Sequence, residues 1–260
     1  MRDHRKQSSQ IIDQPRTFGA PHYVLGTLIL VSFVLMMMQP PMPQDFAYHD
    51  FADKRTFLGI YGFLNVVSNF GFLLVGIGGI CACLSIDIGR LRAAWLTLFT
   101  GINFIAVGSA YYHFAPGDWS LVWDRLPMTF GFMGLLVALL GEYVDESLGI
   151  LLVPAAALGA ASVIYWYLTD DLRLYIWIQA LPLMVIIAVI LLFRPRYSHQ
   201  SLLGASLGLY LLAKAAEFYD GGIFAATGET VSGHTLKHLL SSLGCGAIVL
   251  MLFRRRRLIP

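Results

Sequence analysis

The sequence predicts an all-α integral membrane protein: a seven-helix transmembrane core plus one extra N-terminal transmembrane helix, eight spans in all, with both termini cytoplasmic. Three observations predict it. Of the 260 residues, 57% are hydrophobic and only 13% charged, and mean hydropathy is +0.67, a balance that excludes a soluble domain. Apolar runs of about 20 residues, the length that crosses a bilayer, recur from end to end. Basic residues collect between alternate runs.

Residues 1–22 form a polar tail with Arg2, Arg5, Lys6 and Arg16. The first span, Tyr23 to Met38, has the length of a signal peptide, but PPMPQ follows with no small-x-small cleavage site, so it reads as a retained anchor. Gln44 to Thr56 is a polar outer segment carrying His49, Asp50, Asp53, Lys54 and Arg55. The second span, Tyr61 to Leu84, holds Asn65, Ser68 and Asn69 in its first half. The remaining spans are expected over Ala93 to His113, Leu121 to Glu142, Leu148 to Leu168, Leu174 to Phe193, Leu202 to Phe218 and His234 to Phe253. The chain thus divides into the tail, an added helix with its outer loop (23–60), a seven-span domain (61–253) and a basic tail (254–260). Cys81, Cys83 and Cys245 all fall in apolar runs, which points to packing rather than disulfides.

Charge gives the orientation. Arg90 and Arg92 follow the second span, Arg194 and Arg196 the sixth, and Arg254 to Arg257 the eighth, all on one side of an eight-span chain. The other side keeps only Lys54, Arg55 and Arg173. By the positive-inside rule the basic side is cytoplasmic. Arg254 to Arg257 are expected to anchor at anionic lipid and not to bind nucleic acid. Short loops and the lack of an ER-retrieval ending favour a bacterial inner membrane.

The chemistry concentrates in GSAYYHFAPGDWSLVWDRLPM, Gly108 to Met128. Ser109 and His113 lie four apart and share a helix face, and Asp124 follows a Pro-Gly turn about one turn into the next span. His234 and His238 repeat the spacing of four at the start of the last span. The topology puts all five at the outer, non-cytoplasmic face at similar depth. Two histidines at i, i+4 can reach one metal, and a third from another helix completes a set that leaves a fourth position for water. A nearby carboxylate can move the protons, and a hydroxyl can hold an oxyanion. That inventory fits metal-assisted hydrolysis of an acyl bond, and its depth fits the acyl linkage of a lipid.

Simpler roles are open to each residue. Ser109 can bond back to the carbonyl four residues earlier, and Asp124 can pair with Arg125 or cap the helix after Ser120. Asn65 and Asn69 read as interhelical hydrogen-bonding groups. Lys214 and Glu217 read as a buried pair, His49 as a solvated loop histidine, and Trp119 with Trp123 as interfacial aromatics.

Ser-x-x-x-His closing one helix, an Asp opening the next and His-x-x-x-His opening the last resemble the alkaline ceramidases and their relatives in the CREST superfamily of membrane hydrolases. FADKRTFLGIYGFLNVVSNFGFLLVG, Phe51 to Gly76, is similar to the first core helix of bacterial ceramidase-like members. The resemblance covers seven spans. It implies Zn2+ on His113, His234 and His238, Asp124 as acid/base, Ser109 as polarising neighbour, and a ceramide-like membrane lipid cleaved to fatty acid and sphingoid-type base. The sequence departs at one point. The animal enzymes place a glutamate three residues before the asparagine of Asn-x-x-Ser-Asn to serve a calcium site, and Gly62 stands there. That counts against Ca2+ unless Asp50 and Asp53 supply the oxygens. The alternatives are hydrolysis of another lipid, such as a phospholipid ester, or a non-catalytic receptor or transporter with structural zinc. A bis-histidine haem fails, since His234 and His238 on one face cannot take opposite sides of a haem.

Overall fold

The computed structural model describes residues 19–258. The basic tail residues Arg2 to Arg16 lie outside the described residues, as do positions 259 and 260. Among the described residues eight helical segments are long and apolar enough to cross a membrane, and the protein is an all-α membrane protein.

Helix α1, Ala20–Met37, starts with a proline in its first turn and stops before the Pro40-Pro41-x-Pro43 run, which cannot continue a helix. It sits outside the bundle. Leu25 is its sole buried residue, and it leans on a later helix, α7 (Arg173–Leu192), through Phe33 against Trp177 and a 3.2 Å bond from the Trp177 indole to Ser32. The chain then forms a small antiparallel hairpin, β1 (Thr56–Phe57) with β2 (Ile60–Tyr61). Its two turn residues, Leu58 and Gly59, both have positive φ, as a type I′ turn requires.

The second span is not the continuous helix expected over Tyr61 to Leu84. It consists of α2 (Phe63–Val67) and α3 (Phe70–Ser85), parted at Ser68 and Asn69. The cause is local. The Asn69 amide donates to the carbonyls of Asn65 (2.8 Å) and Val66 (3.3 Å), and the Ser68 hydroxyl to that of Asn65 (3.3 Å). Side-chain donors thus take acceptors that the helix ladder would otherwise use. The following spans match expectation within a few residues: α4 (Arg92–Phe114), α5 (Asp118–Tyr143), α6 (Leu152–Thr169), α7, α8 (Ser201–Phe218) and α10 (Gly233–Arg254). Between the last two lies a short helix, α9 (Asp220–Ala226), that the two consecutive glycines of DGGIFAA had concealed.

Helices α3, α4, α5, α7, α8 and α10 close a ring in that order, with α6 against the outside of α5 and α7. The α4–α5 seam fixes the relative height of Ser109, His113 and Asp124. Pro127 has no N–H for the Trp123 carbonyl, and Gly108 fills the space beside that carbonyl. A Cβ on Gly108 would lie 2.0 Å from the Trp123 oxygen, so no larger residue fits.

The basic residues do gather at one end of the bundle, with one correction. Arg254, Arg256 and Arg257 are exposed, but the Arg255 side chain is not. It is buried, pairs with Glu142 and lies 4.3 Å from the Tyr197 ring centroid, while the Trp95 indole donates to Glu142 at 3.0 Å. A buried carboxylate without a cation is costly enough to draw one arginine inward. At the opposite end Arg173 binds Asp171 and the carbonyls of Met37 (2.9 Å) and Gln39 (2.6 Å), tying the loop after α1 to α7. The Arg173 guanidinium holds the Asp171 carboxyl down at about 2.

Candidate metal centre

Three of the five residues singled out above converge tightly. Offered one nitrogen each, His113, His234 and His238 bring three potential ligands within 4.8 Å of one another, all on buried side chains. Nε2 of His113 and Nε2 of His234 are 3.1 Å apart, and the ring centroids are separated by 4.6, 4.8 and 4.9 Å. His113 ends α4, and His234 and His238 occupy the first two turns of α10. The cluster therefore lies within about 8 Å of the helix ends, at a rise of about 1.5 Å per residue.

The contacts of Ser68 assign one tautomer to His238. The Ser68 hydroxyl has one proton, and it donates that proton to the Asn65 carbonyl, which can only accept. At its 2.8 Å contact with Nδ1 of His238 the hydroxyl must then accept. Nδ1 carries the hydrogen, and Nε2 is left with a bare lone pair. That Nε2 is buried and without a partner, as is Nδ1 of His113. Buried polar atoms are nearly always satisfied, and a cation among the three imidazoles would satisfy the His238 lone pair. The residues present therefore fit a metal ion. The break at Ser68 serves this geometry, since it turns the hydroxyl towards α10. Asn65 binds the same helix, accepting from the hydroxyls of Ser232 (3.0 Å) and Thr235 (2.7 Å), so its expected interhelical role holds.

Ser109 and Asp124 meet beside the cluster. Both are buried. With His238 and Lys237 they line a cavity of about 130 Å3 inside the ring. Its remaining wall is mostly apolar, with Phe72, Ile102, Phe132, Ile186 and Ile248, and also carries Ser206, Tyr210 and Ser241. From Ser109 to Leu98 along α4 it extends about 16 Å towards the other end. Asp124 does not pair with Arg125. That arginine enters a cage of Trp166, Tyr175 and Tyr48, with the nearest ring centroid at 4.0 Å, and donates to Gln44 at 2.6 Å.

The outer loop covers the site. Phe51 packs its ring 4.7 Å from that of His113 and 4.5 Å from that of His234. Asp220 pins this cover by accepting from the backbone N–H of Ala52 (2.9 Å) with one oxygen and from that of His234 (2.7 Å) with the other. His49 is not a free loop side chain. Its ring nitrogens contact the Tyr112 hydroxyl (2.9 Å) and Asp118 (3.2 Å) above the cluster and do not join it.

Asp50 and Asp53 are engaged elsewhere and do not form an oxygen cage for calcium. Asp53 binds Arg55 through both oxygens, which keeps its carboxyl below the usual range, and Asp50 pairs with Lys54 at 2.6 Å. Gly62, the position three residues before Asn65, sits at φ +57° at the start of α2, a conformation that disfavours any other residue. The Lys214–Glu217 pair exists, but Lys214 is half exposed, and the buried partner of Glu217 is Lys237, at 2.9 Å. Sequence reasoning missed Lys237. Its position three residues after His234 puts it on that histidine's helix face, the one signal that pointed to it.

No family model matches the chain, and a search of curated proteins finds no match to its sequence.

Proposed function

We propose that the protein is a zinc-dependent hydrolase of a membrane lipid, and that its substrate is ceramide or a similar N-acyl lipid. One observation carries this reading: His238, one of three clustered buried imidazoles and the holder of an unsatisfied ring nitrogen, shares a mostly apolar cavity with the buried Ser109 and Asp124. His113, His234 and His238 would hold the zinc, which when bound supplies Lewis acidity to a carbonyl and to water. Asp124 lines the same cavity, so its carboxylate takes the proton of the attacking water and returns it to the departing amine nitrogen. Ser109, on the same cavity, would turn its hydroxyl towards the carbonyl oxygen as charge builds there.

The chain's own apolar surfaces argue for a lipid. The cavity wall accepts hydrocarbon, and Phe51 covers His113 and His234 on the side of the outer loop, so a substrate would enter from the bilayer plane. Trp119 and Trp123, exposed on α5 near the same depth, fit the interfacial belt. With the arginine-rich end in the cytoplasm, the site faces the non-cytoplasmic leaflet, where an amide between head group and chain would lie.

The test is metal content of detergent-purified protein, wild type beside His113→Ala, together with mass spectrometry of lipids after incubation with ceramide. The expected result is about one zinc per chain and release of free fatty acid, both lost in the variant. Zinc without lipid turnover would overturn the hydrolase reading, and wild type without zinc would overturn the metal site.

A further inference from the structure

The three-histidine cluster has two sides, and they differ in what can pass. On the bilayer side, the cavity beside His238 is mostly apolar and reaches Leu98 and Leu135 at its far end. A divalent cation does not take that path, because it would have to shed its water against hydrocarbon. The outer side carries groups that attract cations. The His49 ring lies between the Tyr112 hydroxyl (2.9 Å) and the Asp118 carboxylate (3.2 Å), and Asp118 is half exposed.

Phe51 separates these groups from the cluster. It is buried, with its ring centroid 5.7 Å from that of Tyr112, 4.7 Å from that of His113 and 4.5 Å from that of His234. Aromatic rings at such distances are in contact, so no ion passes while Phe51 is in place. Asp220 keeps it there. One carboxylate oxygen takes the N–H of Ala52, the residue after Phe51, and the other takes the N–H of His234. The cover is thereby fastened to the backbone of a candidate ligand. To either side the loop is tied down separately, at His49 and at Arg55, whose guanidinium donates to the Thr230 carbonyl at 2.9 Å. The stretch around Phe51 can therefore lift while both anchors hold.

We propose that the metal ion enters and leaves the cluster through this outer cover, with Phe51 as the gate and Asp220 as its latch. This rests on the metal-site reading and adds a route to it. Metal exchanges with the outer aqueous side, while a lipid substrate uses the bilayer side. Because the latch grips His234 itself, opening also loosens one ligand, and exchange is slow.

Zinc exchange is measured on detergent-purified full-length protein in both directions: release to excess chromophoric chelator, and uptake by chelator-stripped protein from buffered zinc. Wild type is compared with Phe51→Ala, Phe51→Leu and Asp220→Asn, with thermal melting to show that each is folded. Phe51 is neither charged nor a ligand, and the asparagine keeps one of the two acceptors. The expected result is release and uptake both faster by about tenfold or more in Phe51→Ala and Asp220→Asn, with Phe51→Leu in between, since a gate that loses its seal or a charge-assisted bond opens more often. The ratio of the two rates, which sets affinity, changes less than either rate. Equal rates in wild type and Phe51→Ala would overturn the proposal. So would faster release without faster uptake, which marks a weakened site and not an opened gate. If Asp220→Asn does not fold, the two Phe51 variants decide. Wild type that takes up no zinc would overturn the metal reading, and this route with it.

Discussion

Replacing Ser68 with alanine tests the tautomer argument directly. The hydroxyl accepts from Nδ1–H of His238 at 2.8 Å and donates to the Asn65 carbonyl, and the residue is buried. Without it the Nδ1–H faces no acceptor, and leaving such a donor unsatisfied costs about 1–3 kcal/mol. The imidazole escapes that cost by moving its proton to Nε2, which removes the lone pair offered to the metal. Either way zinc binding weakens. Loss of a group that orients a metal-bound histidine lowers affinity by about 10–100-fold, or about 1.4–2.8 kcal/mol. The assay is competition with a chromophoric chelator on detergent-purified protein, with thermal melting to show that the variant is folded. Ser68→Thr, which keeps the hydroxyl, should stay close to wild type. Unchanged zinc affinity in a folded Ser68→Ala protein would refute the proton assignment and the choice of Nε2 as ligand.

Two further predictions concern the ends of the bundle. Arg255→Ala strands Glu142 in the core and should destabilise the fold by about 3–5 kcal/mol, whereas Glu142→Leu with Arg255→Met should recover most of the loss because no charge stays buried; urea or thermal denaturation of the three proteins checks this. The Asp171 carboxyl is held at about 2 in the folded protein against 3.8 unperturbed. Its contribution to stability is therefore full above about pH 4 and is lost as pH falls towards 2. Melting temperature measured across that window should fall less steeply for Asp171→Asn than for wild type.

The fold was legible because a bilayer leaves few choices. A chain of this apolarity must satisfy its backbone within helices, and span length then follows from membrane thickness, so all eight spans stood out. What composition could not reveal was decided by single polar side chains. Asn65, Ser68 and Asn69 are as compatible with one helix as with two until their donors are assigned to particular carbonyls. Arg255 looks like any member of a basic run until Glu142, more than a hundred residues earlier, is placed beside it. Such partners are remote in sequence, and no periodicity connects them.

The site divides along the same line. His113, His234 and His238 could be assembled from helix spacing and topology alone, because i, i+4 pairs share a face and alternate spans share an end. Their supporting groups could not. Phe51 and Asp220 act from a loop and a seven-residue helix, where spacing carries no directional meaning. Lys237 had the right helix position, but an ammonium offers no lone pair to a metal, so ligand chemistry did not single it out. A buried cation beside three imidazoles works against metal binding, and two carboxylates offset it: Glu217 pairs with Lys237 at 2.9 Å, and Asp124 lines the same cavity.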